Sequence, residues 1–394
     1  MTNCTTQSAP EQISRPTLRR SEEERDWLRR AQSPAPSQGE DFRIVDLFSG
    51  CGAMTLGAAE AVRTAGYNPL PILAVDINDK ALQVYKHNFP SAEAVAQSVT
   101  KLLDGHLGDE PTPSEAALRE RVGDLDLVIS GPPCQGHSNL NNHTRRNDPR
   151  NNLYLSVVRF AEIVRPARIL IENVPGVRHD QGRVVDQTFE VLEKLGYTVW
   201  SRLLKAELFG VPQRRRRYFI AASLVGGDES LIESLERTAE RPLSWAIDDL
   251  VDAPPSSNPT FDTSARPYPQ NQRRIEYLFS NDLHDLPNTE RPDCHRTKSH
   301  SYKSVYGRMF WDAPAQTITT GFGSMGQGRY VHPLRQRTMT PHEAARVQFI
   351  PDFFRFPETG RRALQQMIGN AVPPKLAYVM TLSLLAESNP QKGG

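Results

Sequence analysis

Short apolar runs alternate with amphipathic stretches along most of the first 222 residues. Phe42-Arg43-Ile44-Val45-Asp46-Leu47-Phe48 reads as a strand, followed by a glycine turn and a helical stretch to Ala65. Pro71 to Asp76 predicts a second strand and Asp79 to Asn88 a helix. The run Leu125 to Ser130 predicts another strand, and Leu153 to Val164 another helix. Ile169-Leu170-Ile171-Glu172 follows as a strand, then a helix ending near Leu195-Gly196. Tyr197 to Leu204 and Arg217 to Ala222 give two more strands. Strands alternating with helices imply a parallel, doubly wound α/β sheet.

After Ala222 this pattern stops. Residues 223 to about 305 are polar and rich in Pro and Asn, which predicts a smaller, irregular second domain. The glycine-rich stretch Gly321 to Gly328 precedes a helix over Pro341 to Gln348. A last helix, Pro374 to Glu387, opens on prolines suited to a first turn. Residues 1 to 40 carry few large apolar side chains and are expected to be disordered, apart from a short helix around Glu22 to Arg30. The expected divisions are therefore 1–40, a catalytic domain at 41–222, the second domain at 223–305, and a return to the first domain at 306–390.

Composition narrows the class. The 394 residues are 38% hydrophobic, enough for an ordinary core. No run reaches the ~18 apolar residues of a spanning helix, and the amino terminus lacks a secretory apolar stretch. Cys4, Cys51, Cys134 and Cys294 have no spacing for zinc or a disulfide framework and read as free thiols of a cytoplasmic protein. His284, Cys294, His295 and His300 also lack regular ligand spacing, so no metal is expected. The net charge of +1 announces no polyanionic partner, so any basic footprint is local.

Candidate chemistry concentrates at strand ends. Gly131-Pro132-Pro133-Cys134-Gln135-Gly136 places a cysteine in a tight turn after a buried strand, where open α/β sheets bind ligands. Such a cysteine is either a nucleophile or a small packed hydrophobe. Asp46-Leu47-Phe48-Ser49-Gly50-Cys51-Gly52 runs from strand to glycine turn to helix. Thr55 stands where a dinucleotide fingerprint has its third glycine. Asp76, at the tip of the next strand, is placed to accept hydrogen bonds from a ribose. An adenosine ligand without pyrophosphate suits that pair of features, although a G-x-G turn also serves plain helix packing.

These two segments occur in order with Glu172-Asn173-Val174, Gln213-Arg214-Arg215-Arg216-Arg217 and Gly369-Asn370-Ala371-Val372-Pro373-Pro374. The series, spanning about residues 42 to 387, resembles the ordered motifs of the cytosine-5 DNA methyltransferases of bacterial restriction-modification type. The resemblance implies a Rossmann-like, S-adenosylmethionine-dependent methyltransferase sheet in which residues 223–305 are the target-recognition domain. It implies methyl transfer to carbon 5 of a flipped-out cytosine in duplex DNA, through a covalent Cys134 adduct at C6. Carbon 5 is a poor nucleophile until a thiolate adds across the 5,6 double bond, and Cys134 is the candidate. Glu172 would hold the proton at N3.

Alternation along a strand puts Gln213, Arg215 and Arg217 on one face and Arg214 and Arg216 on the other. The resemblance assigns the ring O2 contact to Arg217 and a supporting role to Arg215. Arg214 and Arg216 then face phosphate or solvent.

By the same resemblance Phe48, Gly50, Cys51, Gly52, Asp76, Ile77, Pro133, Leu153, Asn370 and Ala371 line the S-adenosyl-L-methionine pocket. Three residues depart from the family pattern. Ala53 replaces a common glycine, Ser98 stands where an aspartate usually meets the adenine amine, and His137 replaces a common Phe. The polar stretch Gln135 to Asn152, with Arg145 and Arg146, suits a loop closing over a flipped base. The expected partner is double-stranded DNA, with no membrane, met by a monomer, and a cognate restriction endonuclease would act on the same site. An RNA cytosine-5 methyltransferase, a non-catalytic DNA-binding relative and a Rossmann oxidoreductase are the competing readings. The missing third glycine disfavours the oxidoreductase, and intact Cys134, Glu172 and Arg217 disfavour a non-catalytic relative.

Overall fold

The computed structural model describes residues 21–133, 153–179, 183–237, 239–254, 258–296, 304–357 and 359–386. The strands among them are β1 (Asp41–Leu47), β2 (Asn68–Asp76), β3 (Glu93–Ala96), β4 (Leu127–Ser130), β5 (Arg168–Asn173), β6 (Thr198–Lys205), β7 (Gln213–Arg214), β8 (Arg216–Ser223) and β9 (Ala315–Gln316). Seven of them form one sheet in the order β3-β2-β1-β4-β5-β8-β6, and β7 pairs separately with β9.

Two apolar clusters cover the sheet, and strand periodicity sorts side chains between them. Phe42, Ile44, Leu127, Ile129, Leu170, Phe219 and Ala221 face the first cluster. Val45, Leu47, Val128, Ile169, Ile171, Ile220 and Ala222 face the second. Burial on both faces is why these strands read as continuous apolar runs. The helices Ala53–Thr64 and Pro374–Leu385 lie on the first face, and Leu153–Val164 lies on the second.

One departure is in the sheet itself. β1 to β5 run parallel, but β8 is antiparallel to both β5 and β6. Only residues 206–215 join β6 to β8, too few for the helical crossover a parallel neighbour needs. Sequence periodicity also passed over β3, a short edge strand, and the helix Pro113–Val122. That helix is started by a capping box between Thr112 and Glu115.

The short helix expected around Glu22 to Arg30 is present, and it packs on the body. Ser21–Arg29 is a helix with Glu24, Trp27 and Leu28 buried, and both apolar residues join the first cluster. Residues 1–20 lie outside the described residues. The polar segment after β8 likewise does not leave the body at Ser223. Leu231, Ile232, Leu243, Ala246 and Ile247 are buried in the first cluster. A separate small cluster is built from Ile275, Leu278, Leu286, Tyr306, Met325 and Val331.

Candidate active site

The strand order reverses at β1, with β2 and β3 to one side and β4 and β5 to the other, which opens a crevice beyond their carboxyl ends. The turn after β1 enters the left-handed region at Phe48 (φ 59°), Gly50 (φ 53°) and Gly52 (φ 93°). A Cβ on Gly52 would lie 2.8 Å from the rings of Phe89 and Tyr85, so only glycine fits there. A Cβ on Gly50 would meet nothing within 4 Å, which leaves that backbone facing open space. Asp76 ties this turn to the tip of β2: Oδ2 accepts from the Gly50 N–H and Oδ1 from the Asn78 N–H, both at 2.8 Å. Each carboxylate oxygen keeps lone-pair capacity for a further donor. Beside it Ile77 is 79% exposed, an apolar shelf next to a polar anchor.

Behind the turn, Thr55 explains the missing third glycine. Its hydroxyl donates to Asp46 Oδ2 at 2.6 Å and lies 2.9 Å from the Tyr85 hydroxyl. Burial pushes the Asp46 carboxyl up to about 8, against the Thr55 hydrogen bond, so it is mostly protonated at neutral pH. Burial likewise pushes the Cys51 thiol up to about 12, which makes it inert packing.

Across the crevice, Glu172 ends β5 almost buried. Asn173 pairs with Tyr218 in the antiparallel register, and this brings Arg217 alongside. Arg217 Nε lies 2.7 Å from Glu172 Oε1. Burial raises the Glu172 carboxyl above its usual range, and the charges of Arg217 and Arg215 offset only part of that. A Cβ on Gly131 would sit 3.6 Å from Glu172 Oε2 and 3.6 Å from Met54 Sδ. The turn after β4, Glu172 and the start of the helix Ala53–Thr64 thus converge.

The remaining arginines divide by face. Arg215 is buried and donates to Ile318 O at 2.7 Å and Gly369 O at 3.3 Å. Gln213 accepts from the Ile318 N–H at 2.8 Å and donates to Gln348 Oε1 at 2.9 Å. Gln348 in turn donates to Ile368 O at 2.6 Å and Ala371 O at 3.3 Å. Arg214 pairs with Glu240 at the surface, and Arg216 is exposed.

Asn370 is exposed at the end of the helix Arg361–Asn370, and Ala371 is buried. A Cβ on Gly57 would lie 2.0 Å from Pro374 O, so the last helix packs hard against the one that follows the glycine turn. Ser98 caps the helix Val99–Leu102 by accepting from the Thr100 N–H. Pro133 is exposed, and Leu153 opens its helix half-buried. Cys134, His137, Arg145, Arg146 and the rest of the stretch to Asn152 lie outside the described residues.

Two contributors were missed by the sequence reading. Gln348 reaches the Ala371 carbonyl from a distant helix end, which no local pattern signals. Tyr154 is fully buried, with Glu172 and Tyr218 near enough to raise its phenol together with burial. Its hydroxyl has no partner among the described residues, and its place beside Leu153 was the available clue. Among the described residues no group of three or more His, Cys, Asp or Glu side chains is set to hold a metal. No described helix is long and apolar enough to cross a membrane.

A mostly parallel sheet with one reversed strand, a glycine turn after β1 and an acid at the tip of β2 define an S-adenosylmethionine-dependent methyltransferase fold. The model of the C-5 cytosine-specific DNA methylase family matches residues 42–385. The chain belongs to that family and is a DNA (cytosine-5) methyltransferase. It is 50% identical to the Type II methyltransferase M1.BsuMI of Bacillus subtilis (strain 168), over 91% of this chain and 84% of that one. Against the Type II methyltransferase M.DdeI of Desulfomicrobium norvegicum the identity is 29%, over 88% and 92% of the two chains. The fold is also that of the Entamoeba histolytica methyltransferase EhMeth (TM-score 0.61, 18% identity, covering 88% of this chain and 98% of that one).

Proposed function

We propose that the chain transfers a methyl group from S-adenosylmethionine to carbon 5 of a flipped-out cytosine in a specific duplex DNA sequence, through a Cys134 adduct. The observation that carries this is the buried Glu172, raised in pKa and set 2.7 Å from Arg217, beside the turn that leads into Cys134.

The residues at the end of β1 fit the cofactor. The open backbone at Gly50, the Asp76 carboxylate and the exposed Ile77 offer close approach, a ribose acceptor and an apolar face for adenine. Phe48, Cys51, Gly52, Pro133, Leu153, Asn370 and Ala371 complete the proposed pocket. When bound, S-adenosylmethionine supplies the methyl group.

The chain's own residues supply the activation. The Cys134 thiolate forms a bond to ring carbon 6, and the 5,6 electron pair moves to carbon 5, which takes the methyl group. Loss of the carbon 5 proton then restores the double bond as sulfur leaves. Glu172 holds a proton at ring N3 while negative charge builds on the ring, a role that suits a carboxyl raised by burial. Arg217 pairs through Nε with Glu172 and donates Nη1 to Arg216 O, and its guanidinium is proposed to donate to the ring O2. Arg215 supports from behind by holding the segments at Ile318 and Gly369.

The base is out of reach inside a duplex, so it must be extruded at a cost of a few kcal/mol. The loop from Gln135 to Asn152 is proposed to close over it. The cluster around Ile275 and Tyr306 is proposed as the centre of the target-recognition part, which moves the 223–305 expectation to about 264–308, with Met325 and Val331 packing against it from outside. The Type II relatives support a restriction-modification role, and a monomer in the cytoplasm acting on the site of a cognate endonuclease is proposed with it.

The test is bisulfite mapping of DNA incubated with the protein and S-adenosylmethionine. The wild type should leave one protected cytosine context. Glu172→Gln, which cannot carry the proton, should lower the rate by about 10²–10⁴-fold while cofactor binding survives. Full activity of Glu172→Gln would remove Glu172 from the mechanism.

A further inference from the structure

We infer that the helix Ser21–Arg29 positions the cofactor end of the last helix, with Glu24 acting on that end through Lys375. This rests on the proposed cofactor pocket, and concerns a helix outside the family match at 42–385.

Lys375 lies in the first turn of the helix Pro374–Leu385, four residues after Ala371. It is almost fully buried, and a buried ammonium needs a charged partner. Glu24 Oε1 is that partner, at 2.6 Å from Nζ. The other Glu24 oxygen takes Arg241 at 2.5 Å and Arg237 at 2.7 Å. Burial pushes the Glu24 carboxyl up, but Lys375, Arg241 and Arg237 together outweigh it and keep it ionised.

The helix cannot slide away from this contact. Trp27 stacks on Phe349 at 5.8 Å and meets Phe353 edge-on at 5.5 Å. Leu28 O accepts from the Asp352 N–H at 3.0 Å, and Arg25 and Arg29 pair with Asp248. The glutamate is therefore a fixed post to which Lys375 is tied.

The tie reaches both sides of the proposed pocket. Pro374 O is the atom packed against Gly57, one turn into the helix that follows Gly52. Holding Lys375 fixes Pro374 on Gly57, and so fixes the Asn370–Ala371 turn relative to the glycine turn. Loss of Glu24 leaves an unpaired ammonium that must move toward water and take the start of the helix with it. Glu24 is a positioning residue, not a catalytic one.

The experiment titrates S-adenosylmethionine into full-length protein by calorimetry, well below each variant's melting temperature, alongside KM for DNA. Glu24→Gln should weaken cofactor binding about 10-fold, equivalent to ~1.4 kcal/mol, and leave KM for DNA unchanged. Adding Lys375→Met to Glu24→Gln should recover much of that loss, because the unpaired ammonium at the start of the last helix is gone, although Arg241 still lacks its carboxylate. A lower melting temperature with wild-type cofactor affinity in Glu24→Gln would overturn the inference and leave the pair merely structural. If Glu24→Gln does not fold, Glu24→Asp, whose shorter side chain draws the carboxylate back from Lys375, is read the same way: weakened binding supports the inference and wild-type binding overturns it. Asp76→Ala separates the two levels. If it too binds normally, the pocket assignment itself is wrong; if it weakens binding while the Glu24 variants do not, only the positioning role fails.

Discussion

In the free protein Arg217 already lies against Glu172, so an incoming ring meets two groups aligned with each other rather than two mobile side chains. That preorganisation is inexpensive for Arg217 because its backbone is fixed by the β5–β8 ladder. The opposite side of the crevice rests on Asp76, whose carboxylate holds the Gly50 N–H and is proposed to hold the ribose. Losing a charge-assisted hydrogen bond of this kind costs ~1.5–3 kcal/mol. Asp76→Ala is therefore expected to weaken S-adenosylmethionine by about ten- to a hundred-fold in calorimetry; unchanged affinity would place the ribose elsewhere. The alternation of the arginine run could be read before folding, because it needs only strand periodicity. What Arg215 does could not, since Ile318 and Gly369 come to it from far along the chain.

Elements with strong periodicity were legible in the sequence, and those set by context were not. The helix Asp79–Asn88 matches its apolar pattern, whereas β3 and the reversal of β8 depend on what lies alongside. The helix Ser21–Arg29 was foreseen as local structure, but its docking was not, because a buried Glu24 has no sequence signal without Lys375 and Arg241 in space. A second buried polar knot ties the helix Pro341–Val347 to the strand-like segment before it. His332 Nδ1 accepts from the Leu334 and Arg335 N–H groups, and Nε2 lies 3.4 Å from Glu343. Burial pushes the His332 imidazole down to about 4 from the ordinary 6.5. Between those values the unfolded chain binds a proton that the folded chain refuses, so this contribution to stability falls as pH drops from 6.5 toward 4. The full loss is roughly 3 kcal/mol from the shift alone. Urea midpoints at pH 7.5 and pH 5 should fall more for the wild type than for His332→Asn, which keeps an acceptor but does not titrate. Equal falls would contradict this role.

Taken as one molecule, the protein keeps chemistry and the proposed site reading on different apolar clusters. Glu172, Arg217 and the glycine turn stand on the two clusters that sandwich the sheet, while the helix Pro269–Ser280 and Tyr306 belong to the third. Exposed Tyr268 leads into that helix. Base-edge contacts each discriminate by roughly 1–3 kcal/mol, enough for a small module to set the target without touching the catalytic residues. Exchanging residues 264–308 for those of a relative with a different target should move the methylated site and leave cofactor affinity intact. An active chimera that still methylates the original site would contradict that division. The covalent step is tested most directly by trapping on duplex DNA carrying 5-fluorocytosine at the methylated position, with S-adenosylmethionine present. Fluorine at carbon 5 blocks the proton loss that releases the enzyme, so the wild type should form a complex that survives SDS. Cys134→Ala should form none while still binding cofactor. An SDS-stable complex of equal yield with the alanine variant would show that Cys134 is not the nucleophile.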